Sequence, residues 1–431
     1  MNGLAQDPQD LALAIHLHRC QSASRMRNRD LRALTDAVQN INEIMELPIN
    51  AIMDLILESA AAASDNSSHK PEVLHQSIKE LIRLFTDHSA RQDALATART
   101  FDSFKIKPLV SGDPCYPNRL KSIDSSPAIL YTRGPALAAA LDRPLWVTVI
   151  GTRNPTVYGQ RVTQVITRDL AARGTVIVSG LARGIDTLAH EIALEQNGLT
   201  IAVTGCGLDQ VYPPENARLM QRIADHGVLI SEHPPGVEPR RQHFPARNRI
   251  LSGLSDVVAV MEAAQRSGTL ITAGFAGDQG RDVFAVPGNI LDQASSGCHQ
   301  LIRDGAKLLE QASDIFRDHP VRFVQELIAS AFAIPGQSGR GQEQSLTQRE
   351  KSSDVEPSSP SLNDVLQQNS LLASRILQIL RGQTLTLDQL ADLSGQPVRD
   401  VITAASFLEL GGLIICHRGR YALTASGQCS I

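Results

Sequence analysis

The segment 240–249 reads Arg-Arg-Gln-His-Phe-Pro-Ala-Arg-Asn-Arg: four arginines, no acid, and one phenylalanine between them. Guanidinium groups track phosphate oxygens, and an aromatic face stacks on a base. These residue types suit a single nucleic-acid strand, with Arg241, Phe244, Arg247, Asn248 and Arg249 as candidates. The competing reading is a solvated basic loop with Phe244 in a core.

Three further loops carry chemistry for anions. Gly151-Thr152-Arg153-Asn154-Pro155 runs from a strand towards a helix. Gly151 lets the backbone approach a ligand, the helix start offers N–H groups, and Arg153 is a fork for phosphate. A tight turn with an exposed arginine is the alternative. In Ser179-Gly180-Leu181-Ala182-Arg183-Gly184-Ile185-Asp186, the residues Ser179, Gly180 and Arg183 suit a second phosphate, while Asp186 reads as the N-cap of the next helix. Arg266-Ser267-Gly268-Thr269 opens another helix, so Ser267, Gly268 and Thr269 are either a third cradle or simple capping. Cys206 sits between Gly205 and Gly207 with no base fixed beside it by spacing; it reads as a small buried residue. One nucleotide needs one or two such loops, whereas a polynucleotide backbone uses several in series.

The elements that position these loops follow from hydrophobic pattern. Trp146–Ile150, Val176–Ser179, Thr200–Val203, Val228–Ser231, Asp256–Val260 and Asp282–Val286 are short apolar runs. They alternate with helical stretches such as Tyr158–Ala172, whose Val162, Val165, Ile166 and Asp169/Leu170 fall along one side. Such alternation predicts a doubly wound α/β fold, Rossmann-like, with a parallel sheet covered on both faces. Ligands of that fold bind beyond the carboxyl ends of the strands, where these loops lie.

Residues 1–100 carry helical periodicity and no clear strand: Leu31, Leu34, Ala37, Val38 and Ile41, then Val73, Leu74, Ile78, Leu81 and Leu84, with a small polar break over Ala60–Lys70. The arginines from His16 to Arg32 read as a solvated helix face, with an accessory nucleic-acid surface as the alternative. Residues 318–370 read as a largely disordered linker; Gly336–Pro360 has too little apolar content to order itself. Over 371–431, a helix at Leu371–Leu380, a capping box at Thr386 and Gln389, helices at Leu387–Leu393 and Val398–Leu410, and a hairpin turned at Gly419 predict a winged helix. Its third helix has only Arg399 as a basic residue, which favours a packing or protein-contact role over DNA reading.

The formal charge of −4 means that any nucleic-acid site is a local basic patch on a mildly acidic body. Cys20, Cys115, Cys206, Cys298, Cys416 and Cys429 form no C-x-x-C pair, which argues against zinc or a disulfide framework and suits a reducing cytoplasm. No apolar run approaches the roughly 18 residues of a membrane span, and the acidic start before Leu11–Leu17 argues against an export signal.

Seven stretches in order resemble the DprA/Smf family: 151–155, 179–186, Tyr-Pro-Pro-Glu-Asn at 212–216, Phe-Pro-Ala-Arg-Asn-Arg at 244–249, Arg-Ser-Gly-Thr-Leu-Ile-Thr-Ala at 266–273, Val-Pro-Gly at 286–288 and 297–306. With the lead-in Asp113–Pro117 the likeness covers about 105–317, within an expected core domain of 101–317. The resemblance implies an extended Rossmann domain that forms homodimers, binds and protects single-stranded DNA, and helps load the RecA recombinase during natural transformation. No cofactor, no metal and no catalysis are expected. The resemblance places Arg153, Phe244, Arg247 and Asn248 in one DNA pocket, with Arg249 adjacent. The Gly-x-Gly turn of many members' N-terminal module is missing from 1–100.

Two enzyme classes fit less well. A nicotinamide enzyme needs G-x-G-x-x-G, and Gly151 and Gly159 have the wrong spacing. A nucleotide hydrolase of the lysine-decarboxylase-like (LOG) type, the alternative function, needs a glutamate where Thr272 stands. A scaffold that has lost DNA binding fits poorly with the intact arginines.

Overall fold

The structure is a computed structural model that describes residues 8–24, 26, 28–62, 71–319, 372, 375–381, 383–410, 414–417 and 420–423. The chain divides into two compact units, Met1–Ile315 and Phe316–Ile431. The expected linker lies outside the described residues from 320 on, as do the expected break from 63 on, the glycines 411 and 412, and the turn at 419.

The first unit begins with α1 (Pro8–Ser24), α2 (Asn28–Asp36), α3 (Ile49–Ala62), α4 (Pro71–Phe85) and α5 (His88–Thr100). Leu11–Leu17 is buried throughout, which explains an apolar run with no amphipathic stripe: a helix apolar all round belongs inside a bundle. Leu31, Leu34, Val38 and Ile41 are buried as the period predicts, but Ala37 is exposed, because α2 stops at Asp36 and Val38 and Ile41 reach the core from the turn that follows.

The helices are not a separate body. Their core includes Ile129, Tyr131 and Leu229 of the sheet region. Asn28 Nδ2 donates to Ser126 O at 2.8 Å, Arg32 Nη2 to Lys121 O at 2.7 Å, and Gly112 N to Thr35 O at 2.9 Å. Arg32, expected on a solvated face, therefore anchors α2 to the sheet region.

The sheet region runs β1 (Lys107–Val110), α6 (Asn118–Lys121), β2 (Ile129–Arg133), α7 (Leu137–Leu141), β3 (Trp146–Ile150), α8 (Val157–Ala172), β4 (Val176–Ser179), α9 (Ile185–Glu195), β5 (Thr200–Thr204), α10 (Ala217–His226), β6 (Val228–Ser231), α11 (His243–Leu254), β7 (Val257–Val260), α12 (Thr269–Asp278), β8 (Asp282–Ala285), α13 (Ser296–Arg303), β9 (Lys307–Leu308) and α14 (Ala312–Asp318). The nine strands lie in the order β1-β2-β6-β5-β4-β3-β7-β8-β9. From β6 to β9 all neighbours are parallel, and β2 and β1 extend the β6 edge antiparallel.

Strand order therefore reverses between β3 and β7. That is the topological switch point where doubly wound sheets bind ligands. The strands β3 to β7 are buried along their whole length, as apolar runs in a two-sided parallel sheet must be.

Three details differ from expectation. β7 begins at Val257, because the Asp256 carboxylate turns to accept from Arg119 Nε at 3.1 Å and from Trp146 N at 2.9 Å. On α8 the inward stripe is Gly159, Thr163, Ile166, Thr167 and Leu170, while Val165 is 59% exposed. Within that stripe Thr163 Oγ1 donates to Gly159 O at 2.7 Å, inside its own helix. β1, β2 and β9 were not foreseen.

In the second unit, β10 (Leu385–Thr386), α15 (Leu387–Ser394), α16 (Val398–Leu410), β11 (Ile414–His417) and β12 (Arg420–Leu423) follow a short helical stretch at 375–379. The strands pair antiparallel in the order β10-β12-β11, and the Thr386–Gln389 capping box is present. This is the winged-helix layout that the sequence predicts. Among the described residues, no helix is long and apolar enough to cross a membrane.

Candidate nucleic-acid interface

At the carboxyl edge of the sheet, a groove of about 540 Å³ collects residues from the ends of β3, β4, β5 and β7 and from α11 and α12. Arg153, Arg241, Phe244, Arg247, Asn248 and Thr269 line it, together with Gly151, Ser267 and Gly268. Loops separated by more than 100 residues in sequence are brought together here because β3 and β7 are neighbours.

The β3–α8 loop is fastened to the β7–α12 loop. Thr152 N donates to Glu262 O at 2.8 Å, and Thr269 Oγ1 donates to Gly151 O at 3.0 Å. The Glu262 carboxylate, itself buried, accepts from Thr156 N at 2.8 Å and Thr156 Oγ1 at 2.5 Å. Gly159 N is taken by Thr156 Oγ1 at 3.0 Å. A Cβ on Gly159 would lie 2.4 Å from Glu262 Oε2, so the α8 start closes tightly over that carboxylate.

The helix N-terminus that sequence offered to an external anion thus already holds an internal one. A carboxylate there satisfies the amides and the helix dipole as a phosphate would. Arg153 and Arg241 line the groove with exposed side chains, and the start of α12 is open, with nothing within 4 Å of a Cβ built on Gly268.

The arginines of the basic segment have different fates. Arg241 is exposed in the groove. Arg247 is buried at 6% exposure; its Nη1 donates to Gly180 O at 2.8 Å and also to Val203 O. Burial pushes its guanidinium down to about 10, which leaves it charged at neutral pH. Its charge partner is the buried Asp186, which accepts from Gly180 N at 3.1 Å and Ala182 N at 3.4 Å. Burial raises the Asp186 carboxyl, and Arg247 and the two amides oppose that rise.

Gly180 must be glycine, since a Cβ would lie 2.7 Å from Asp186 Oδ2 and 2.8 Å from Arg247 Nη2. Asp186 is not the N-cap of α9, a place held by Gly184; it braces the loop before it. Arg249 turns away, to Glu232 Oε1 at 2.5 Å and Ser125 O at 3.0 Å. Arg183 pairs with Glu215. Ser179 is fully buried and donates to Val149 O at 2.7 Å between strands. Ser179, Gly180, Arg183 and Arg249 are therefore outside the groove lining. Ser267 Oγ donates to Thr269 Oγ1 at 2.9 Å, so these two hydroxyls also shape the helix start. Cys206 is buried, its thiol pushed up to about 11 by burial.

Phe244 is half-buried and packs on Tyr212, ring centroids 5.0 Å apart and tilted by 41°. Phe244 is therefore not wholly buried in a core; part of its ring lines the groove.

A family model for DNA recombination-mediator protein A matches residues 107–320. The chain is 39% identical over 280 residues to DNA processing protein DprA of Streptococcus pneumoniae, covering 65% of this chain and 93% of that protein. It is 46% identical over 210 residues to DNA processing protein DprA of Bacillus subtilis, covering 49% and 70%. The chain belongs to the DprA family. The X-ray structure of DprA from Streptococcus pneumoniae superposes with a TM-score of 0.56 at 33% identity, over 73% of this chain and 98% of that one.

The sequence does not mark as site residues Tyr212, which lines this DprA-family groove, or Glu262, which is buried behind it. Tyr212 is 41% exposed in the lining and was visible only as part of a motif. Glu262 acts on Thr156, 106 residues away, so no local spacing points to it.

Proposed function

We propose that the groove binds single-stranded DNA, that the protein shields the strand and hands it to the RecA recombinase in DNA uptake and recombination, and that it does so without catalysis. One observation carries the reading: a single open groove at the switch point combines exposed Arg153 and Arg241 with the paired rings of Phe244 and Tyr212. Cations for phosphates beside a π surface for bases form a sequence-tolerant single-strand site. A duplex keeps its bases stacked and offers the rings nothing.

The names of the DprA relatives support a role in DNA processing. On this reading the domain at 101–317 works as a cytoplasmic homodimer, the winged helix at 371–431 is an accessory module, and 318–370 links them. Hydrolysis of a nucleotide by the lysine-decarboxylase-like route lacks its acid: Thr272, where the glutamate belongs, is buried.

The test compares single- and double-stranded oligonucleotides of one sequence by gel shift, then follows RecA assembly on strands coated with single-strand-binding protein. Preference for the single strand and faster assembly are expected. Equal affinity for both forms overturns the binding mode, and unchanged assembly overturns the loading role.

A further inference from the structure

Phe244 is not the ring that faces the groove most openly. A Cβ built on Gly205 would lie 3.1, 3.3 and 3.5 Å from three atoms of the Phe244 ring, so the loop after β5 rests against it. The Arg247 guanidinium carbon lies 6.0 Å from the Phe244 centroid. What remains is partly covered by Tyr212. Tyr212 stands outermost, 41% exposed, on a segment that is itself held firmly. Asn216 Nδ2 donates to Leu181 O and to Thr187 Oγ1, each at 2.9 Å, and Asn216 N donates to Pro213 O at 3.0 Å.

An exposed ring on an anchored segment, backed by a second ring, is a preorganised platform. We infer that Tyr212 is the stacking surface for a base of the bound strand, and that Phe244 is a positioning residue that backs it. This rests on the single-strand reading above. It assigns contact with the base to a tyrosine, and it gives Phe244 two separable roles: support of the Tyr212 ring and support of the Gly205 loop.

The chain offers a clean probe. Trp146 is its one tryptophan and is fully buried. Tyr212→Trp adds an indole in the groove, and titration with an oligothymidylate should quench its emission while wild-type emission stays constant. Tyr212→Ala should weaken binding roughly 5- to 100-fold with an unchanged salt slope and a near-wild-type melting temperature, and Tyr212→Phe should restore binding. Phe244→Ala combined with Tyr212→Trp should lose the quench and melt lower. Wild-type affinity for Tyr212→Ala, or no quench on a strand that Tyr212→Trp does bind, would overturn the inference. If wild-type protein binds no strand at all, the parent reading fails as well.

Discussion

Arg247→Ala removes a guanidinium that joins three segments: the β4–α9 loop through Gly180 O, β5 through Val203 O, and the α9 start through Asp186. It leaves a buried carboxylate without its charge partner. Removing one member of a buried pair costs about 3–5 kcal/mol. At ~2.1 cal/mol/K per residue, a unit running from Met1 to Ile315 has a melting entropy near 0.7 kcal/mol/K, so the melting temperature should fall by roughly 5–8 °C. Because the guanidinium lies inside the groove wall, the dependence of DNA affinity on salt should stay as in wild type. The sequence suggested the opposite, a phosphate contact that flattens this slope. Scanning calorimetry and fluorescence anisotropy at several salt concentrations measure the two quantities on one preparation. A folded Arg247→Ala protein with wild-type melting and a slope flatter by about 0.7 would refute the buried-brace argument.

Other consequences follow from the same contacts. Arg183 is paired with Glu215, so Arg183→Ala should leave the salt slope unchanged; Glu215→Gln frees a cation beside the groove and should tighten single-strand binding several-fold, and equal affinities in anisotropy would contradict this. His190 is fully buried and held down to about 3 by burial, against 6.5 when free. Its folded pKa is depressed, so it favours the unfolded chain as pH falls from 6.5 towards 3; at pH 4.5 it should cost about 3 kcal/mol. His190→Asn should lose less stability than wild type between pH 7 and 4.5 in urea melts, and an identical loss would assign the acid sensitivity elsewhere. A 101–317 fragment should still bind single strands, but it uncovers Ile129, Tyr131 and Leu229, so it should melt below the protein that retains residues 1–100. A fragment as stable as that protein would show that the helices add no cover.

Much of the fold was legible because parallel strands buried on both faces announce themselves as apolar runs. Trp146–Ile150, Val176–Ser179 and Val228–Ser231 stand where those runs do. β1 was hidden by Pro108, which fits an edge strand but weakens the signal, and β9 by its two-residue length. Loop chemistry at strand ends pointed to much of the groove lining, but it also named Ser179, Gly180, Arg183 and Arg249, which lie outside it. What the sequence concealed was direction. Arg247 and Arg249 are two residues apart with the same charge, yet one points into the protein and the other to Glu232. A signal existed: on α11, Arg247 falls in helical phase with Ile250, Leu251 and Leu254, all buried. Glu262 offered none, since its partner is distant in sequence and close only through the β3–β7 pairing.

If exposed arginines in the switch-point groove hold the phosphates of a single strand, Arg153→Ala removes one such contact and little else. Arg153 is exposed in the groove and forms no ion pair among the described residues, so its loss should leave the melting temperature unchanged. A salt titration of oligonucleotide binding should then show weaker affinity and a slope of log K against log salt flatter by about 0.7. Wild-type affinity and slope in a folded Arg153→Ala protein would mean that the strand's phosphates are held elsewhere.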